Sequence, residues 1–201
     1  MYSDQFEPGN YYIEPEPEPK PSAFKRFIHL TREILETIVP AVLIALLINL
    51  FLAQATRVYG QSMEPNLHTD QRLIVEKLSY NRYIRSFAGI DGPERGDVVV
   101  VKVNQNSELL IKRVIGLPGD AIEIHDNLVY VNGVPLAEPY LNSQTTGYYG
   151  PMVVPPLQVF VLGDNRNFSN DSRNFGTIPL ENVVGRAWLS YWPPDQIGFI
   201  E

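Results

Sequence analysis

Between Glu36 and Arg57 the chain carries no charged residue. The interval 37–56 includes Ile38, Val39, Val42, Leu43, Ile44, Leu46, Leu47, Ile48, Leu50, Phe51 and Leu52. About 20 residues at ~1.5 Å each span roughly 30 Å, the thickness of a bilayer core. The run is apolar on every face rather than along one stripe, which argues against a surface helix of a soluble protein. It therefore predicts a transmembrane helix, with Pro40 near its start, where a helix tolerates proline best. Lys20, Lys25, Arg26 and Arg32 precede the span, whereas Arg57 stands alone just after it. This bias places the N-terminus in the cytoplasm and residues 57–201 outside it, a single-pass protein of the cell membrane. Ala53-Gln54-Ala55 fits the small-x-small pattern of a cleaved secretory signal. The long acidic segment ahead of the run favours a retained anchor, with cleavage after Ala55 left open.

Residues 1–22 carry the run Glu14-Pro15-Glu16-Pro17-Glu18-Pro19-Lys20-Pro21. Proline removes backbone donors and the glutamates repel one another, so a disordered cytoplasmic tail is expected here. The domain plan is then a tail over 1–22, a juxtamembrane segment and transmembrane helix over 23–56, and a folded domain over 57–201.

From Arg57 onward the pattern is β. Strands are expected at 73–75, 98–103, 109–114, 121–124, 128–131, 159–162 and 183–192. Val98-Val99-Val100-Val101 suits a strand buried on both faces. Asn132-Gly133 predicts a two-residue hairpin turn. Asp91-Gly92-Pro93, the stretch 116–120 and Pro155-Pro156 supply further turns, and residues 140–156 read as a long loop. Many short strands predict a mainly β, barrel-like antiparallel domain.

The formal charge of −7 argues against a nucleic-acid binder, which normally shows a basic patch or stripe. The absence of cysteine removes disulfides, thiolate nucleophiles and Cys-based zinc sites. The three histidines, His29, His68 and His125, show no metal-ligand spacing. No metal or cofactor is expected.

Three clusters carry chemistry. The first is Gly60-Gln61-Ser62-Met63-Glu64-Pro65. The second runs from Leu110 through Lys112-Arg113-Val114-Ile115-Gly116 to Asp120. The third is Gly163-Asp164-Asn165-Arg166-Asn167-Phe168-Ser169-Asn170-Asp171-Ser172-Arg173. On a strand, Leu110, Lys112 and Val114 share one face, with Ile111 and Arg113 on the other. Burial among apolar neighbours would lower the lysine pKa from about 10.4 toward the range of about 7–8 that a general base needs. The bland alternative is a strand-edge lysine with its head in water. Ser62 alone suggests only a turn, and it lies outside any GxSxG elbow. In the third cluster, Asp164 could pair with Arg166 or Arg113, and Asp171 with Arg173.

Taken together, the blocks resemble the bacterial type I signal peptidases, or leader peptidases, from the apolar span to about Gly185. The Ser-Met-x-Pro block resembles the nucleophile motif of that family, which makes Ser62 the nucleophile. The Lys-Arg-Val-Ile-Gly-Leu-Pro-Gly-Asp block resembles its general-base motif, which makes Lys112 the base. Arg95-Gly96-Asp97-Val98-Val99 resembles the structural block between them, and Gly-Asp-Asn-Arg-x-x-Ser-x-Asp-Ser-Arg the final signature. The resemblance implies that Ser169 orients Lys112 by a hydrogen bond, that Asp171 and Arg173 buttress the site, and that Asp164 pairs with Arg113. Lysine at 112 implies the prokaryotic Ser-Lys dyad, since the endoplasmic-reticulum type has histidine there. Some members carry a hydroxyl residue two before the nucleophile; here that position is Gly60, so oxyanion binding would rest on backbone N–H groups. The implied substrates are precursor proteins carrying signal peptides, cut after Ala-x-Ala sites. Residues beside the nucleophile, Val58, Met63, Leu67 and Ile111, are expected to line shallow pockets. Trp188, Tyr191, Trp192 and Phe199 either dip into the lipid interface or fill the core.

Other Ser-Lys proteases, a pilin-maturation peptidase or the self-cleaving domain of SOS-type repressors, share the dyad. The latter would need a DNA-binding helix-turn-helix in place of the apolar span. A membrane-anchored β module without catalysis predicts no special role for Ser62 or Lys112.

Overall fold

The computed structural model describes residues 23–80, 92–104 and 108–200. The expected tail over 1–22 and Asp91 of an expected turn lie outside them. The chain divides into two units, Met1–Ile44 and Ala45–Glu201.

Helix α1 covers Ala23–Leu47. Its first half is polar and amphipathic in chemistry, with Arg32 and Glu36 paired one turn apart at 2.6 Å. Its second half is apolar all round, and Ile38, Val39, Val42, Leu43, Ile44, Leu46 and Leu47 are all exposed. The uncharged run does not continue as one helix. Ile48–Leu52 form a single π-helical turn, and Ala53–Arg57 form strand β1. About 16 helical residues remain in the run, roughly 24 Å of rise, less than a bilayer core. No helix among the described residues is long and apolar enough to cross a membrane. The expected helix over 37–56 is thus corrected at its C-terminal end, and residues 53–56 belong to the β domain. The physical reason is pairing: Ala53–Arg57 lie in register against β2, Arg72–Glu76, so their backbone groups find strand partners rather than helical ones. The candidate cleavage site Ala53-Gln54-Ala55 lies inside that ladder.

The β domain is built from β1, β2, β3 (Val98–Lys102), β4 (Leu109–Gly116), β5 (Ala121–His125), β6 (Leu128–Val131), β7 (Val134–Pro135), β8 (Tyr149–Val153), β9 (Gln158–Leu162), β10 (Ile178–Pro179), β11 (Val183–Trp192) and β12 (Gly198–Phe199). The main sheet runs β1-β2-β11-β3-β4-β9-β10, with β12 also on β11. Its described pairings are antiparallel. The end strands β1 and β10 do not pair with each other, so the expected barrel is an open one. A second sheet, β7-β6-β5-β8, stands beside it. Part of the expected loop over 140–156 is its edge strand β8, which a proline-containing stretch of alternating character disguised.

Strand β3 shows why its valine run is continuous. Val98 and Val100 pack into one apolar cluster with Leu73, Val75 and Ala187. Val99 and Val101 pack into another with Val114, Val159, Val161 and Ile178. Both faces are therefore covered. A third cluster, with Ile122, Ile124, Val129 and Phe160, lies under the second sheet. The β6–β7 turn has positive φ at both Asn132 and Gly133 (54° and 76°), as an Asn-Gly hairpin requires.

Candidate active site

Strand β1 runs into Val58 and then a turn. Gly60 takes φ 81°, a left-handed conformation that favours glycine, and its carbonyl accepts from the Thr69 hydroxyl at 3.0 Å. Ser62 follows at the start of one helical turn, closed by Asn66 and Leu67 N–H bonds to the Met63 carbonyl, each 3.0 Å. Met63 and Leu67 point inward and are buried, which pins the turn to the core and leaves Ser62 half-exposed above it.

Lys112 comes from the centre of β4, opposite Val99 on β3. It is 2% exposed. Its Nζ lies 2.6 Å from Ser62 Oγ and 3.0 Å from the Ile111 carbonyl oxygen. Burial pushes its pKa down to about 8, against the opposing pull of the Asp171 and Asp164 carboxylates, so desolvation dominates. The alternation read from the sequence places neighbours as the fold does: Ile111 packs in the first cluster, Val114 and Leu110 in the second. Arg113 pairs with Asp164 through two parallel bonds, Nε–Oδ1 at 2.9 Å and Nη2–Oδ2 at 2.7 Å. It also donates to the Gly96 carbonyl and lies 4.1 Å from the Tyr140 ring centroid. Arg166, the other candidate for Asp164, instead pairs with Glu138.

The loop after β9 wraps the turn that bears Ser62. Asn165 N–H donates to the Ser62 carbonyl at 3.0 Å, and its side chain donates to the Gln61 carbonyl. A Cβ on Gly163 would sit 2.5 Å from the Ser62 carbonyl oxygen and collide with Ser169, so only glycine lets these segments touch. Asp171 is fully buried and accepts from the Gly163 N–H at 3.0 Å and from Arg173 at 2.8 Å. It also caps the short helix α2, Ser172–Phe175. The Ser172 hydroxyl accepts from Val161 N–H, tying that helix to β9.

Two expected placements differ. The Ser169 hydroxyl is buried without a hydrogen-bond partner; it stands by Gly163 and Ser62, while Lys112 takes the Ile111 carbonyl instead. Val58, Met63, Leu67 and Ile111 are 2%, 1%, 2% and 7% exposed and pack together as core. They are core rather than open pocket walls, because each projects to the inward face of its turn or strand. Sequence reading missed Asn66, whose amide bridges Asp164 Oδ2 (2.8 Å) and the Tyr140 carbonyl (2.9 Å). It also missed Glu138 and Thr145, which hold Arg166. All three lie far in sequence from the residues they join, and no local pattern marks them. Among the described residues no group of acidic or histidine side chains is arranged to hold a metal ion.

The model of the signal peptidase, peptidase S26 family matches residues 31–192. The chain is 41% identical over 174 residues to a probable signal peptidase I-2 of Synechocystis sp., covering 84% of this chain and 76% of that protein. It is 38% identical over 176 residues to a signal peptidase I of Bacillus licheniformis, covering 82% of this chain and 90% of that one. A crystal structure of a signal peptidase I from Enterococcus faecalis superposes with a TM-score of 0.44 at 35% identity, covering 48% of this chain and 97% of that one. The chain belongs to the signal peptidase family, peptidase S26, and is a serine endopeptidase that removes signal peptides from precursor proteins.

Proposed function

We propose that the protein cleaves with a Ser62–Lys112 dyad through an acyl-enzyme, after small-x-small sites. The observation that carries this is the 2.6 Å separation of Lys112 Nζ and Ser62 Oγ, with the amine in a site dry enough to lower its pKa to about 8. Neutral Lys112 takes the Ser62 proton as Oγ attacks the scissile carbonyl carbon. The tetrahedral oxyanion is met by the Ser62 backbone N–H. The intermediate collapses to an ester, and the Lys112 ammonium gives its proton to the departing amine of the mature protein. Lys112 then takes a proton from water, whose oxygen attacks the ester. The signal peptide leaves as a carboxylic acid and Ser62 recovers its proton.

Asp171, Arg173, Asp164 and Arg113 support this machinery by fixing the loop and the turn that face each other across Ser62. The substrate pairs as an extended strand with the edge next to the site, where β1 ends the sheet order and leads into the nucleophile turn.

The apolar half of α1 supports association with a membrane surface, and the basic residues ahead of the run support a cytoplasmic N-terminus. Its exposed apolar side chains form the kind of patch that meets lipid. Trp188, Tyr191, Trp192, Ile197 and Phe199 are also exposed, and they suit the headgroup layer. The test is cleavage of a signal-peptide precursor by the full chain in detergent, beside Ser62→Ala and Lys112→Ala. Product from either folded variant at the parent rate rejects the role given to that residue.

A further inference from the structure

Arg166 is 1% exposed, so its charge needs a partner inside the protein. Asp164 is two residues away, is itself buried, and its field reaches the Arg166 guanidinium. Yet Arg166 turns from it. Both guanidinium nitrogens Nη1 and Nη2 donate to the Glu138 carboxylate, the Nη1 bond measuring 2.8 Å, and Nη1 also donates to the Thr145 hydroxyl at 2.6 Å. Arg166 Nε meanwhile holds the Gly163 carbonyl at 3.1 Å. Glu138 comes from the segment between β7 and β8 and also accepts from the Tyr140 hydroxyl at 2.8 Å. Asp164 is thereby left to Arg113 and to Asn66, which sits in the nucleophile turn.

Two arginines and two carboxylates thus share one buried region, and they admit two pairings. In the observed one, Asp164 joins β4, which bears Lys112, to the turn that bears Ser62. In the other, Asp164 would turn to Arg166, and Asn66 would lose its carboxylate anchor. We propose that Glu138 is a positioning residue that selects the first pairing by occupying Arg166, and so sets the distance between Ser62 and Lys112. This rests on the Ser-Lys reading above.

The test is a double-mutant cycle on the full chain in detergent, with kcat and KM measured on a signal-peptide precursor and folding checked by near-ultraviolet circular dichroism. Glu138→Gln keeps size and a hydrogen-bond acceptor but removes the charge that holds Arg166. It should lower kcat by about tenfold or more while KM stays within about threefold. Arg166→Met removes the competing cation. In its presence, adding Glu138→Gln should cost no further kcat, because nothing remains to divert Asp164. A further loss of kcat in the double variant, as large as in the single one, overturns the proposal. A rise in KM with unchanged kcat in Glu138→Gln does the same. If Glu138→Gln does not fold, the comparison of Arg166→Met with the double variant still decides. Ser62→Ala is run alongside. Parent activity that depends on Ser62 with Glu138→Gln at the parent rate removes only the role of Glu138, whereas parent activity indifferent to Ser62 overturns both readings.

Discussion

Replacing Lys112 by Met tests the physical basis of the proposed dyad without measuring catalysis. The two side chains have similar length and volume, so the strand packing around β4 is retained. Lys112 has its pKa lowered from 10.5 to about 8 by burial. Below pH 8 the lysine is protonated in both the folded and unfolded chain, and the folded state bears the desolvation cost. Between pH 8 and 10.5 the unfolded chain binds more protons than the folded one, so stability rises with pH across this window. The shift corresponds to about 3 kcal/mol. Methionine carries no such charge. Its advantage over lysine should therefore be largest near neutral pH and shrink by about 3 kcal/mol by about pH 10.5. At neutral pH the lost bonds to Ser62 Oγ and the Ile111 carbonyl return roughly 1 kcal/mol each. The absolute gain is thus modest, and the pH dependence of the difference is the sharper quantity. Urea unfolding of both proteins in detergent across this range measures it, and tyrosine ionisation cancels in the difference. A difference that stays flat with pH would mean that Lys112 is as well solvated folded as unfolded, which refutes the desolvation argument.

Three further outcomes follow from the same geometry. With Lys112 as the proposed base, its neutral amine is the active form, so kcat/KM should fall about tenfold per pH unit below pH 8 and level off above it, and a profile without that acid limb counts against Lys112 as base. Gly163→Ala should abolish cleavage, since the added methyl must displace Ser169 or the Ser62 carbonyl; full activity with an unchanged fold would show that the loop can retreat at little cost. Asp164→Asn leaves Arg113, 3% exposed in its side chain, without its carboxylate and should destabilise the protein by about 3–5 kcal/mol in chemical denaturation, whereas a loss under ~1 kcal/mol would mean that other acceptors suffice.

Much of the β domain was legible because its signals are local. The valine run of β3, the short apolar run of β6 and the Asn-Gly turn each report on a few neighbouring residues, and the observed strands follow them. Lys112 and Arg113 likewise divide between site and ion pair because adjacent strand residues face opposite ways. Strand β1 was not legible. Ala53–Thr56 continue an uncharged run that Arg57 ends, and only pairing with β2 decides that they are extended rather than helical. The inward turn of Val58, Met63, Leu67 and Ile111 was equally hidden, since apolar residues beside a nucleophile serve a pocket or a core alike until the packing is known.

Sequence alone determined which groups are available: a serine in a Gly-and-Pro-bounded turn, a lysine inside an apolar strand, and a polar loop rich in Asp, Asn and Arg. Tertiary structure decided which of them meet. Ser62 and Lys112 are 50 residues apart, Asp164 and Arg113 51, and Asp164 and Asn66 98. It also decided that Arg166 belongs to Glu138 rather than to its neighbour Asp164. The physical reason is that chain periodicity sets the direction of a side chain on its own element. Burial, charge pairing and the lysine pKa depend on what other elements bring to the same place.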